Sequence, residues 1–343
     1  MLVTGHSVLF KIILLLFFVL PCSLKAQVYP DAKVDSLLRA GIDHIVNHSY
    51  ERAEKTFSYL DQTYPELPLG KIYLAAAKIA YAYDFETPFD EKQIENNLKE
   101  AQTLSENLLK KNETDKWNIY FYALSGGYYA YYQALKGNWF DALKTGLSSV
   151  SAFEECIELD TDFHEAWIAI GTYQYWKSSK TEFLSWLPFV SDNRDFGIEK
   201  LKHAIDSSVY NTHIAIHSLI WIYIDRKDFI SAQELSKYSV EKFPASRVFK
   251  WGLARAYEEM DLRKSIETYF EILNSYLKTG VKTRVNEITL KHIIAQQYVK
   301  LGEIEKARGL CSEILEYNDL TGFEKDKLED RLKRVRTLFE ETS

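Results

Sequence analysis

An all-α fold of stacked helical hairpins, an α-solenoid, is predicted by three features of this sequence. Only seven prolines and fourteen glycines interrupt its 343 residues, and the stretches between them carry apolar side chains at the three- and four-residue steps of amphipathic helices. No run alternates apolar and polar residues as a half-buried strand would. Small residues, aromatics and a closing proline also recur at fixed offsets, the mark of a repeat array. An array escapes the limit on a single hydrophobic core, which stops growing near ~250 to 300 residues.

The first 26 residues read as a secretory signal. Lys11 precedes the apolar run 12–20, the segment Ser23-Leu24-Lys25-Ala26 follows, and cleavage is expected before Gln27. A membrane anchor is the competing reading, but nine apolar residues, or thirteen counted from Val8, fall short of the ~20 a bilayer requires. Lipid attachment at Cys22 is disfavoured by the proline directly before it. The expected location is therefore exported, periplasmic or extracytoplasmic, with envelope association possible and a signal that reads as bacterial. Residues 27–343 are expected to form one solenoid domain.

The segment 34–65 defines the repeating unit. Gly41 marks where the two helices of a hairpin approach, and Ala53, twelve residues on, is the small residue expected to face it. Phe57 and Leu60 continue that face at helical spacing, and Pro65 ends the helix. Ile220, Tyr223, Ala232 and Pro244 repeat these offsets. Ala295, Tyr298, Gly302, Ala307, Cys311 and Ile314 repeat them again, with Gly302 in the turn. These units resemble tetratricopeptide (TPR) repeats, and the resemblance implies a superhelix whose first helices line a concave groove.

Between these units the spacing departs from the family's even period. Tyr129, Ala130, Gly137 and Ala142 fit the unit, but the second helix runs on to about Asp160. Trp167, Ile170 and Gly171 fit a first helix whose facing small residue arrives only at Gly197, which places an insertion at about 177–193. A second long connection, 84–90 with Pro88, divides another hairpin. The count is about seven hairpins followed by a charged capping helix from Gly322 to Glu341. Over 171–204, the succession Gly171, Ser178, Leu184, Leu187-Pro188-Phe189, Asp192, Arg194, Gly197-Ile198 and Leu201 is similar to the signature of Iml2/TTC39-type TPR proteins, which implies no defined activity.

Charge and chemistry narrow the function. The net charge is −7, and losing Lys11 and Lys25 with the leader makes it two units more negative, with no sustained basic block. Nucleic-acid binding is disfavoured. Cys156 and Cys311 are far apart within helical patterns, so neither a disulfide framework nor a zinc ribbon is indicated. There is no H-E-x-x-H, P-loop, G-x-S-x-G or Rossmann glycine pattern. His44 with His48, and His213 with His217, stand one helical turn apart, but neither pair has an evident third ligand. Adjacent carboxylates such as Glu154-Glu155 do not share a helical face. No cofactor, metal or catalytic residue is implied.

Aromatics carry the remaining signal. Nine crowd 120–140, and Tyr173, Tyr175, Trp176, Phe183, Trp186 and Phe189 crowd the next hairpin and its insertion. Many are expected to be core. By the resemblance, Tyr131 and Tyr175 fall where first helices line the groove, and aromatics there suit a peptide or a sugar ring. The insertion, with Lys177, Lys180, Trp186 and Arg194, reads either as a flap across the groove or as a short extra helix packed over its end. The candidate binding residues are Tyr131, Tyr175, Trp176, Lys180, Trp186 and Arg194. The leading reading is an exported, non-enzymatic scaffold for a protein or peptide partner. The alternatives are an aromatic pocket for a small molecule or glycan, closed by the insertion, and an undetected hydrolase. An open groove favours the first and an enclosed cavity the second.

Overall fold

The computed structural model describes residues 27–180, 191–281 and 283–342. The leader expected at 1–26 lies outside the described residues, as does 181–190 with Trp186. Among the described residues there is no strand, and no helix is long and apolar enough to cross a membrane. Fifteen α-helices follow in order. They are α1 (Ala32–Val46), α2 (Tyr50–Thr63), α3 (Leu69–Phe85), α4 (Glu91–Lys111), α5 (Lys116–Leu135), α6 (Trp139–Leu159), α7 (His164–Lys180), α8 (Arg194–Ser207), α9 (Thr212–Asp225), α10 (Phe229–Lys242), α11 (Arg247–Met260), α12 (Leu262–Leu277), α13 (Val285–Lys300), α14 (Ile304–Leu315) and α15 (Gly322–Glu341). Consecutive helices pair from α1 with α2 to α13 with α14, giving seven hairpins closed by α15.

Local chemistry sets the helix ends. The side chains of Asp31, Asp90, Asp115, Asp228 and Asp261 accept hydrogen bonds from backbone N–H groups of the first turns of α1, α4, α5, α10 and α12. Thr321 and Glu324 form a reciprocal capping box at α15. Four hairpins share one turn. His48, Gly137, Lys227 and Gly302 have positive φ, and the next residue's N–H reaches back five residues, as Ser49 does to His44 and Glu303 to Tyr298. Glycine takes this conformation without strain; His48 and Lys227 hold it at some cost.

Helices within a hairpin approach at glycine. A Cβ on Gly171 would sit 2.8 Å from the Gly197 carbonyl oxygen, and one on Gly197 would sit 2.5 Å from that of Gly171. The late small residue expected at Gly197 is thus the true partner of Gly171. Gly41 lies under the Phe57 ring rather than against Ala53. The break at 84–90 separates α3 from α4, and α6 runs on to Leu159.

The first residues of the expected insertion are helical. α7 continues through Lys177 to Lys180, and α8 begins at Arg194. Asn193 donates its backbone N–H to Ser178 Oγ at 2.9 Å and its side-chain amide to Gln174 at 3.2 Å, which ties the ends of the connection together.

Candidate functional site

The first helices face a common interior. One hydrophobic cluster runs through α1, α3, α5, α7, α9 and α11, from Val34 to Phe249. At its base lies a polar node that the sequence reading did not anticipate. Glu165, in the first turn of α7, is buried. Its carboxylate accepts from the backbone N–H groups of Val209 (2.7 Å), Tyr210 (2.6 Å) and Asn211 (3.2 Å) and from the Asn211 side-chain amide (2.9 Å). Burial raises its pKa, and these four bonds oppose the rise. The same amide donates to the Tyr120 hydroxyl at 3.0 Å. The Tyr210 hydroxyl accepts from Tyr29 N–H and donates to Asp35, and the Tyr29 ring stands edge-on to Trp117 at 5.2 Å. Side chains of α1, α5 and α7 thus meet those of Tyr210 and Asn211, just before α9.

A second node joins helices far apart in the sequence. Arg247, opening α11, donates from Nε to Asp84 Oδ1 at 2.9 Å and from Nη2 to Oδ2. His48 Nε2 accepts the Arg247 backbone N–H at 2.8 Å, which leaves the Nδ1 proton to face Asp84 Oδ2 at 3.0 Å. Tyr276 and Asn286 donate to the Asp84 backbone carbonyl at 3.0 and 2.8 Å. Burial by itself raises the Asp84 carboxyl, but Arg247 and His48 overrule it and hold it down at about 2. α3 is thereby bound to α11, α12 and α13, and His48 keeps its positive φ where its ring joins this contact.

Further aromatic and polar side chains stand on α3, α5, α7 and α9. Tyr128 and Tyr131 stand on α5 and Tyr83 on α3. Tyr83 and Tyr131 are 53% and 46% exposed, yet desolvation raises the pKa of both hydroxyls. On α9, Ala215, Leu219 and Ile222 pack with α8, and Ile216 and Ile220 join the main cluster. The remaining face carries His213, His217 and Trp221 at four-residue steps. Both histidines are half-buried, and desolvation brings each down to about 4. Trp221 donates Nε1–H to His217 Nε2 at 2.9 Å, which places the remaining ring proton on Nδ1. On α7, Thr172 and Trp176 continue the face begun by Glu165. Thr172 Oγ1 is buried without a hydrogen-bond partner.

The structure disperses the six residues expected to bind. Tyr131 on α5 is 46% exposed, and Trp176 on α7 is partly buried against the cluster of Tyr175, Ile198 and Leu219. Tyr175 is not on the groove: it is 1% exposed, because α8 meets α7 at Gly197 directly beside it, and its hydroxyl donates to Asp225 at 2.7 Å. Lys180 and Arg194 are helical residues rather than parts of a flap. Lys180 stands 5.6 Å from the Trp176 ring centre, and Arg194 pairs with Asp192 at 2.6 Å. Trp186 lies outside the described residues. The sequence reading also missed the outer face of α6, where Trp139 and Phe140 are 70% and 80% exposed, with Leu143 and Leu147 exposed beside them. Their three- and four-residue spacing was the available signal.

No family model and no curated protein sequence matches the chain. Its fold is nevertheless found among solved structures. The APC/C hetero-tetramer Cut9–Hcn1 is similar over 90% of this chain at a TM-score of 0.51 and 12% identity, and this chain spans 54% of that one. YrrB, described as a TPR protein with an unusual peptide-binding site, is similar over 68% of this chain and 96% of its own, with a TM-score of 0.44 and 11% identity. The C-terminal part of a TPR repeat-containing protein from Cytophaga hutchinsonii is 17% identical, covering 85% of this chain and 99% of its own at a TM-score of 0.43. At these identities the likeness is one of fold, and the fold is a TPR-like α-solenoid.

Proposed function

We propose that this TPR-like solenoid is an exported scaffold that binds a protein partner, and that the partner docks on the outer face of α6. The observation that carries this reading is the exposure of Trp139, Phe140, Leu143 and Leu147 on one stretch of helix. A contiguous apolar face rimmed by Asp141, Lys144 and Ser148 has the composition of a docking surface, with two large aromatics as anchors. The buried Asn211 bonds instead to Tyr73 of α3, Tyr120 of α5 and Glu165 of α7, partners within the chain itself. Cut9–Hcn1, which has the same fold, is itself an assembly of different chains. Export rests on the leader at 1–26.

Cross-linking of tagged protein in its native host, followed by mass spectrometry, tests this reading. A partner recovered with the wild type and lost with Trp139→Ser/Phe140→Ser supports the α6 face. Equal recovery with both forms rejects it.

A further inference from the structure

We infer that Trp117 and Phe121 on α5, with Tyr210 just before α9, form a docking site for an extended peptide carrying an aromatic side chain, and that residues 27–30 of the chain itself fill this site until such a peptide displaces them. The site is separate from the α6 face and does not depend on it.

The chain's own segment shows what the site takes. Residues 27–30 precede α1 and belong to no helix, and Pro30 biases Tyr29 toward an extended backbone. The Tyr29 ring stands edge-on to Trp117 with ring centres 5.2 Å apart, and lies 5.8 Å from the ring of Phe121. Trp117 and Phe121 share one face of α5 by their spacing. The Tyr29 backbone N–H donates to the Tyr210 hydroxyl at 2.8 Å, and the Gln27 side-chain amide donates to Asp160 Oδ2 at 3.3 Å. A main-chain bond of this kind holds any extended chain, while the ring contacts select an aromatic side chain.

The site keeps its structure when the segment leaves. Asp160 retains Lys116 on Oδ2 and the Asp162 backbone N–H on Oδ1. The Tyr210 hydroxyl retains its bond to Asp35, and Trp117 retains Phe163 at 5.2 Å and Tyr120 at 5.9 Å. The polar groups of Gln27 and Tyr29 pass to water, which replaces the bonds they lose. The segment also fits imperfectly. Val28 is 43% exposed, Tyr29 is half-buried, and Gln27 Oε1 is buried without a hydrogen-bond partner. Its tether to α1 compensates by supplying an effective concentration of roughly millimolar, which a better-fitting peptide overcomes.

The test uses the purified protein and a synthetic peptide of residues 27–31, labelled at its C-terminus, with binding read by fluorescence anisotropy. Tyr29→Ala, which empties the site, should bind the peptide at least tenfold more tightly than the wild type, whose own segment competes. A peptide with alanine in place of its tyrosine should bind Tyr29→Ala at least tenfold more weakly. Tyr210→Phe in the same background should weaken binding of the tyrosine peptide, because it removes the acceptor of the main-chain N–H. Adding Trp139→Ser/Phe140→Ser to Tyr29→Ala should leave peptide binding unchanged, so that failure of this site and failure of the α6 face are read separately. In the wild type, the Tyr29 amide should exchange with deuterium at least tenfold faster than the Phe121 amide inside α5, because the segment detaches without global unfolding; this measurement stands whether or not Tyr29→Ala folds. Peptide binding no tighter to Tyr29→Ala than to the wild type, equal binding of the alanine peptide, or exchange at Tyr29 as slow as at Phe121 overturns the inference.

Discussion

Arg247 and Asp84, 163 residues apart in sequence, form a two-point ion pair in the interior, with Nε donating to Oδ1 at 2.9 Å and Nη2 to Oδ2. Bidentate geometry fixes direction as well as distance. The pair, with His48, Tyr276 and Asn286 around it, ties α3 to α11, α12 and α13.

Asp84→Asn should destabilise the protein by about 3–5 kcal/mol, because it leaves the Arg247 guanidinium buried without its counter-charge. Urea denaturation measures the loss. Small-angle scattering should show a larger radius of gyration at unchanged helicity, as the superhelix opens.

Acid should act on the same pair. The folded Asp84 carboxyl titrates at about 2 against an ordinary 3.8, so its contribution is complete above 3.8 and is lost as pH falls toward 2. The difference corresponds to about 2 kcal/mol. Denaturation midpoints measured at pH 6, 4 and 3 should fall for the wild type, and Asp84→Asn should lack that share of the fall.

Glu165 carries the opposite sign. Its folded pKa is raised, so its contribution is greatest at low pH and diminishes as pH rises past 4.5, the ordinary value. Glu165→Ala should be strongly destabilising, since each buried N–H it orphans costs about 1–3 kcal/mol. Glu165→Gln should be milder and should remove the pH dependence, as a denaturation series between pH 4 and 7 would show.

Two glycine substitutions should move stability in opposite directions. Gly197→Ala drives a methyl group into the Gly171 carbonyl and should cost about 1–3 kcal/mol or more. Gly309→Ala, inside α14 with nothing within 4 Å of the new carbon, should add about 0.5–1 kcal/mol. Thermal melts of the two variants check both.

Trp139→Ser/Phe140→Ser should change folding stability by less than about 0.5 kcal/mol, because both rings are mostly in water. A larger loss in urea denaturation would mean that these rings are packed in the folded protein.

The helical class, the hairpins and their irregularities were legible because they rest on local rules. Apolar spacing, an aspartate before a first turn and a glycine with positive φ act within a few residues. The break at 84–90, the long helix reaching Asp160, the pairing of Gly171 with Gly197 and the cap at 322–341 could therefore be read along the chain. The placement of the candidate binding residues could be read only in part. Tyr131 and Tyr175 looked equivalent as aromatics on successive first helices, yet one is 46% exposed and the other 1%, because α8 closes over Tyr175 at Gly197. Asp84, Glu165 and His48 carry no local sign of burial. Their partners Arg247 and Asn211 stand 163 and 46 residues away from Asp84 and Glu165, and Arg247 stands 199 residues from His48. Sequence determined the helices and the order of their stacking. Only the closed superhelix decided which polar groups met inside it, because a charge is buried or solvated according to what the rest of the chain brings beside it.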